Sequence, residues 1–178
     1  MRLWTIGHST RSVDELVGLL RAHGVDTVVD VRTVPRSRRH PHFAKDALAV
    51  SLPAAAIAYT HMPGLGGLRK PRKDSPNTGW RTEGFRGYAD YMLTEEFDRE
   101  VMALMTLAAG ARVATMCAEA VPWRCHRSLL SDALVVRGAT VLHILGPGAP
   151  RAHELTPWAR RDGARLLYPP AQGELSFS

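Results

Sequence analysis

Leu3-Trp4-Thr5-Ile6-Gly7, then Ser12-Val13-Asp14-Glu15-Leu16-Val17-Gly18-Leu19-Leu20 running on to His23-Gly24, then Thr27-Val28-Val29-Asp30-Val31: these three runs decide the fold. The first is a short apolar run closed by glycine, which reads as a buried strand. In the second, Val13, Leu16, Val17, Leu19 and Leu20 form an apolar stripe of helical period. Ser12 or Thr10 caps that helix, Asp14 and Glu15 suit its N-terminal dipole, and Gly24 stops it. The third run is β-branched and predicts a second strand, with Arg32 at its end. Strand, helix and strand within about thirty residues make a βαβ unit, which implies a parallel sheet with helices on both faces.

The same patterns recur along the chain and predict one α/β domain over residues 1–178. Its architecture is three-layered and Rossmann-like, a mostly parallel sheet of about five strands with helices on both faces. Further strands are expected at 56–61, 112–117 and 140–145. Helices are expected at 44–52, stopped by Pro53, at 88–108, and at 125–137, stopped by Gly138. The last part of the chain suggests a short helix at 154–161 and an added strand at 165–168. Residues 33–43 are basic and irregular. Residues 62–87 are rich in glycine, proline and cations, including Leu65-Gly66-Gly67 and Arg69-Lys70-Pro71-Arg72-Lys73. A stretch of that length and composition is expected to be a mobile basic loop that closes over a site.

The 178 residues suit one compact domain, and 45% hydrophobic with 22% charged residues is ordinary for a globular protein. No apolar run approaches the roughly 18 residues that span a bilayer, and the N-terminal residues lack a signal-peptide pattern. The expectation is a cytoplasmic protein with no membrane partner. In that compartment two cysteines are free thiols or metal ligands rather than a disulfide staple. The formal net charge is +6, and the only lysines are Lys45, Lys70 and Lys73, so the positive charge is mostly arginine. Arginine suits bidentate recognition of phosphate or carboxylate, and the high pI favours an anionic small molecule or nucleic acid as partner. The plainer alternative is arginine used on any solvated face.

Both cysteines lie in Val113-Ala114-Thr115-Met116-Cys117-Ala118-Glu119-Ala120-Val121-Pro122-Trp123-Arg124-Cys125-His126-Arg127-Ser128. This reads as a buried strand ending in a thiol and a carboxylate, a proline-containing loop, and a helix start with a second thiol, an imidazole and a guanidinium. In an open parallel sheet, ligands bind outside the carboxyl ends of the strands. His8 and Ser9, Arg32, His61, and Cys117 with Glu119 all follow strand ends and therefore share one edge. A helix N-terminus favours an anion, either a substrate phosphate or a thiolate, and Arg124 and Arg127 would lower a thiol pKa further. Cys125 or Cys117 is thus the candidate nucleophile, with His8 or His126 as base and Glu119 as an orienting or acid–base group. Against this stands the usual fate of cysteine as a small buried hydrophobe.

Arg32 suits either a ligand or a buried partner such as Asp30 or Glu119, while Arg38 and Arg39 suit a solvated face or a phosphate backbone. Trp80, Phe85 and Tyr88 could stack on bases or anchor the loop. His143 reads as a satisfied core histidine, and His61, Tyr59 and Trp123 as weaker candidates for pocket walls. No cofactor is expected. Zinc is the alternative, held by Cys117 and Cys125 with His126 or His8, although seven residues between the cysteines is not a recognised zinc spacing. Arg127 lies too close to Cys125 to close a cysteine-phosphatase loop, and no Walker A, GxGxxG or HExxH pattern occurs.

Thr5-Ile6-Gly7-His8-Ser9-Thr10, Asp30-Val31-Arg32 with Pro35, Ser37 and Arg38, Tyr59, Leu65-Gly66-Gly67, Cys117-Ala118-Glu119, Cys125-His126-Arg127 and His143-Ile144 together resemble the domain-of-unknown-function family 488. The blocks extend from residue 5 to about 144. The resemblance implies that His8, Ser9, Arg32, Ser37, Arg38, Cys117, Glu119, Cys125, His126 and Arg127 build one site, and it implies no activity. The expected function is an enzyme, a hydrolase or transferase with a cysteine nucleophile. Its substrate would carry a phosphate or other anionic group held by Ser9, Arg32, Ser37, Arg38 and Arg127. The alternatives are a nucleic-acid-binding module with structural cysteines and a metal-dependent hydrolase.

Overall fold

The computed structural model describes residues 1–170; residues 171–178 of the expected domain lie outside the described part. The first βαβ unit forms as its sequence requires. Strand β1 (Arg2–Gly7) leads to helix α1 (Val13–Ala22) and then to β2 (Thr27–Asp30). Ser12 caps α1, its hydroxyl accepting from the Glu15 N–H while the Glu15 carboxylate accepts from the Ser12 N–H. This reciprocal box satisfies two of the free donors at the helix start. Gly24 follows α1 with a φ of +66°, a left-handed conformation that glycine adopts freely.

Helix α2 (Lys45–Ala54) and strand β3 (Ala58–His61) come next, then α3 (Glu83–Tyr91), α4 (Glu95–Gly110) and β4 (Val113–Cys117). Helix α5 (Arg127–Val136), β5 (Thr140–Ile144) and the two-residue β6 (Arg151–Ala152) follow. The sheet runs β3-β2-β4-β1-β5-β6, parallel throughout except for β6, which is antiparallel to β5. Trp4 and Ile6 of β1 and Ala114 and Met116 of β4 pack with Leu16 and Leu20 of α1 and Leu48 and Leu52 of α2. Leu3, Val29, Val113 and Cys117 pack instead with Phe97 and Leu104 of α4 and Leu129 and Leu130 of α5. The alternation of side chains along each strand thus makes two cores, and the three-layer α/β arrangement is present. Among the described residues, no helix is long and apolar enough to cross a membrane.

Several boundaries differ from expectation. Helix α2 continues through Pro53 to Ala54; Pro53 has no N–H to donate to the Ala49 carbonyl, and the helix ends one residue later. The single helix expected at 88–108 is two helices. Thr94 breaks it, its hydroxyl accepting from the Phe97 N–H at the start of α4. The expected helix at 154–161 does not form. Its Thr156 N–H donates to Asp132, and Arg160–Asp162 pairs instead with Arg165–Leu167 as a hairpin, β7 and β8, turning at Gly163. That hairpin is a separate two-stranded sheet, so 165–167 does not extend the main one. The helix expected from 125 begins at Arg127, after a 3-10 turn at Pro122–Arg124.

Residues 62–87 are pinned rather than loose. The buried Asp90 carboxylate accepts from the Arg72 N–H, the Ser75 hydroxyl and the Asn77 side-chain amide. The Asn77 amide oxygen in turn accepts from the Tyr168 N–H. The Arg69 guanidinium lies 3.6 Å from the centre of the Tyr91 ring. Tyr88 is fully buried with its hydroxyl donating to the Leu65 carbonyl, so it anchors this segment to the core.

Candidate active site

Strand order brings together what sequence order separates. β1, β4 and β2 are neighbours, so His8 and Ser9, Cys117 to Ala120, and Arg32 leave the same edge side by side. The turn after β1 is fixed to the turn after β4, as the His8 and Ser9 N–H groups donate to the Cys117 and Ala118 carbonyls. Ser9 takes a φ of +48°, rare for a residue with a side chain, and these bonds hold it there. Gly7 permits the close approach, since a Cβ there would lie 1.8 Å from the Glu119 carbonyl oxygen.

A cavity of about 680 Å³ opens at this edge. Of the expected site residues, His8, Ser9, Arg32, Ser37, Cys117, Glu119, Cys125 and His126 line it. Arg38 is exposed and lies outside the lining, as does the fully buried Arg127. Thr33, His40 and Gly67, which are not among the expected site residues, also line the cavity, as does Arg36 of the basic 33–43 stretch. Arg36 and Arg124 contribute exposed guanidinium groups to its wall. Phe85 and Gly67 show that the 62–87 segment forms a wall of the cavity. His61 and Tyr59 do not line it, and Trp123 faces a smaller neighbouring cavity.

Arg32 is oriented by its partner on β2. Its Nε and Nη2 donate to the two oxygens of the buried Asp30 carboxylate, at 2.8 and 2.6 Å. Asp30 also accepts from the Arg32 N–H and the Tyr59 hydroxyl, and Nη2 donates to the Phe43 carbonyl. His61 donates from Nε2 to the Arg32 carbonyl at 2.8 Å. These bonds leave Nη1, which lies 3.2 Å from His8 Nε2. The Ser9 carbonyl can only accept, so His8 donates to it from Nδ1, and its Nε2 lone pair faces Arg32. Burial, with the Arg32 charge adding to it, lowers the His8 pKa to about 4. His8 is therefore neutral at pH 7, with Nε2 placed to accept from Arg32.

The thiols lie deeper. Cys117 Sγ and Cys125 Sγ are 2.8 Å apart, and both cysteines are free. His126 Nε2 donates to the Val31 carbonyl at 3.2 Å, which turns Nδ1 toward Cys125 Sγ at 3.6 Å. Tyr88 packs against the imidazole, and Gly67 leaves it room. The Arg127 N–H, opening α5, points to Cys125 Sγ at 3.5 Å. The Arg127 side chain is 1% exposed and donates to the Glu119 carbonyl. Among the described residues no carboxylate lies within ion-pair distance of it, and its Nε has no hydrogen-bond partner. A buried cation requires a counter-charge, and a Cys125 thiolate would supply one. The hydrogen bond from Cys117 holds Cys125 well below the ordinary thiol range against the opposing effect of burial, and His126 and Arg127 add to it. The same hydrogen bond, together with burial, pushes Cys117 up. The two thiols titrate as a pair, and their surroundings favour the charge on Cys125 over Cys117. Glu119 sits exposed at the mouth, its backbone carbonyl occupied by Arg127.

His143 is satisfied within the core as expected, between Thr5 Oγ1 at 2.7 Å and His153 at 3.0 Å. His153 in turn meets the buried Asp132. Among the described residues, no group of three or more His, Cys, Asp or Glu side chains is arranged to hold a metal ion.

A family model described as Domain of unknown function DUF488 matches residues 12–134 of the 178-residue chain. That span contains Arg32, both cysteines, Glu119, His126 and Arg127, while His8, Ser9 and His143 lie outside it. No curated protein and no solved structure matches the chain.

Proposed function

The chain belongs to the DUF488 family, and from that premise we propose an enzyme whose Cys125 thiolate attacks an anionic, phosphate-bearing substrate. The substrate class is a nucleotide, a nucleic acid or another phosphorylated molecule. The observation that carries this reading is the placement of Cys125 between His126 Nδ1, Arg127 and the first N–H of α5, at the wall of the cavity. A buried structural cysteine needs none of these neighbours.

In this mechanism the Cys125 proton passes to His126 Nδ1, and the Val31 carbonyl keeps that nitrogen aimed at sulfur. Sγ bonds to the electrophilic atom as the bond to the leaving group breaks, and His126 returns its proton to the leaving group. Water or an acceptor then takes the transferred group from sulfur, with Glu119 at the mouth positioned to receive the acceptor's proton. Arg36 and Arg124 attract the anionic group, and Arg32, locked by Asp30, offers a preorganised charge beside His8.

Protection of Cys125 tests the reading. Alkylation by iodoacetamide is followed by mass spectrometry with nucleoside monophosphates and phosphorylated sugars, and with the matching unphosphorylated nucleosides and sugars. The phosphorylated compounds should slow modification of Cys125, less so at high salt, while the uncharged counterparts leave the rate unchanged. Equal protection by both sets, or by neither, would contradict an anionic substrate at this site.

A further inference from the structure

We propose that Cys117 and Cys125 form a dithiol–disulfide couple that reduces small disulfides bearing carboxylates, with Cys125 attacking and Cys117 resolving. This rests on the reading of Cys125 as a thiolate in a cationic cavity and adds a second activity to it.

The two side chains are already directed at one another, with sulfurs 2.8 Å apart at the end of β4 and the start of α5. Disulfide geometry is demanding, and thiols whose Cβ vectors diverge cannot be bridged without moving the backbone. Here the seven intervening residues fold back through the 3-10 turn at Pro122–Arg124, and the Cys125 N–H donates to the Pro122 carbonyl, so the return is fixed. Both thiols line the cavity, where a disulfide of low molecular weight can reach them. Cys125 has the helix N–H, His126 and Arg127 around it, whereas Cys117 ends a central strand. This asymmetry is what a couple needs, one sulfur kept as the attacking thiolate and the other held as a thiol until it resolves. Arg36 and Arg124 on the cavity wall favour a disulfide with carboxylates over a cationic one.

The electrons balance without a further reactant. Cys125 Sγ attacks one sulfur of the small disulfide, a mixed disulfide forms, and the first small thiolate leaves with the proton that His126 took from Cys125. Cys117 loses its proton to His126, and its sulfur attacks Cys125 Sγ. The mixed disulfide breaks and the second small thiolate leaves with the proton from His126. The two protein thiols are oxidised by two electrons, and one small disulfide becomes two small thiols.

The test uses the reduced full chain and oxidised glutathione. After acid quench, free thiols are blocked with N-ethylmaleimide and peptides are mapped by mass spectrometry. The wild-type chain should gain a Cys117–Cys125 disulfide, losing two hydrogens and retaining no glutathione. Cys117→Ser should retain one glutathione on Cys125, and Cys125→Ser should take none on Cys117. Cystamine, which is cationic, should react about tenfold more slowly than oxidised glutathione. Wild-type protein with stable glutathione on Cys125 and a free Cys117 would overturn the couple. So would no reaction at Cys125 in a sample whose Cys125 is readily alkylated, an outcome that leaves the nucleophile reading standing. Failure of both reactions would remove both readings. The wild-type product decides the question even if a variant does not fold.

Discussion

Gly67 is the wall against which His126 rests: a Cβ at Gly67 would meet His126 Nδ1 at 2.4 Å. The obstruction falls on the nitrogen that faces Cys125. Gly67→Ala should therefore turn the imidazole away and remove one hydrogen bond from the thiolate. A charge-assisted bond contributes about 1.5–3 kcal/mol, so Cys125 alkylation at pH 7 should slow by about tenfold or more. Thermal unfolding should change little by comparison, because Gly67 is only half-buried.

Arg127→Met tests whether the buried guanidinium is the counter-charge of the thiolate. The substitution keeps much of the side-chain volume and removes the cation. An opposite charge nearby moves a pKa by about 1–3 units, so the Cys125 midpoint should rise by an amount in that range. An unchanged midpoint, measured by absorbance of the thiolate at 240 nm in a Cys117→Ser background with and without the change, would assign Arg127 to the Glu119 loop alone.

Asp30→Asn should be among the most damaging single changes. It removes the charge that holds Arg32, which is 8% exposed, and leaves that guanidinium buried without a carboxylate. Breaking a buried pair from one side costs about 3–5 kcal/mol. For a domain of this size that is a fall in Tm of about 10 °C, readable by calorimetry.

Most of the architecture was legible in the chain, and the reasons are visible in single elements. The Ser12–Glu15 box and the stripe from Val13 to Leu20 marked α1 because every local signal agreed. Thr94 with Glu95 and Glu96 is an equally good helix start, yet it lies inside a continuing apolar pattern that hides the break. The Asp162-Gly163 turn was masked in the same way by a charged stretch with no strand period. In the site, the common edge of His8, Arg32 and Cys117 followed from their positions after strands. Their adjacency did not, because the order β2-β4-β1 is set by contacts distant in sequence. Arg127 was expected to face the substrate. It turns inward because the helix begins at Arg127 itself, whose side chain packs under the Glu119 loop. The role of Gly67 has no sequence signal, since a glycine pattern does not say which side chain approaches it.

Two histidines give the protein a definite response to acid. His8 is lowered to about 4 and His143 to about 3, in both cases mainly by burial. Their folded pKa values lie below the ordinary value near 6.5, so between those limits the unfolded chain binds protons that the native chain does not. The stability present above pH 6.5 is therefore lost as pH falls. For two groups the slope reaches about 2.7 kcal/mol per pH unit around pH 5. In NMR spectra of the native protein, the ring signals of His8 and His143 should not titrate between pH 8 and 5.5. Titration of either near 6.5 would contradict their burial as neutral imidazoles.

The chemistry of this site turns on the charge of Cys125, which the pH dependence of iodoacetamide modification at each cysteine measures. Peptide mapping of the native, reduced chain should show Cys125 reacting with a midpoint well below the ~8.5 of a free thiol, and Cys117 almost unmodified over the same range. A Cys125 midpoint at or above the free-thiol value, or faster modification of Cys117, would contradict it.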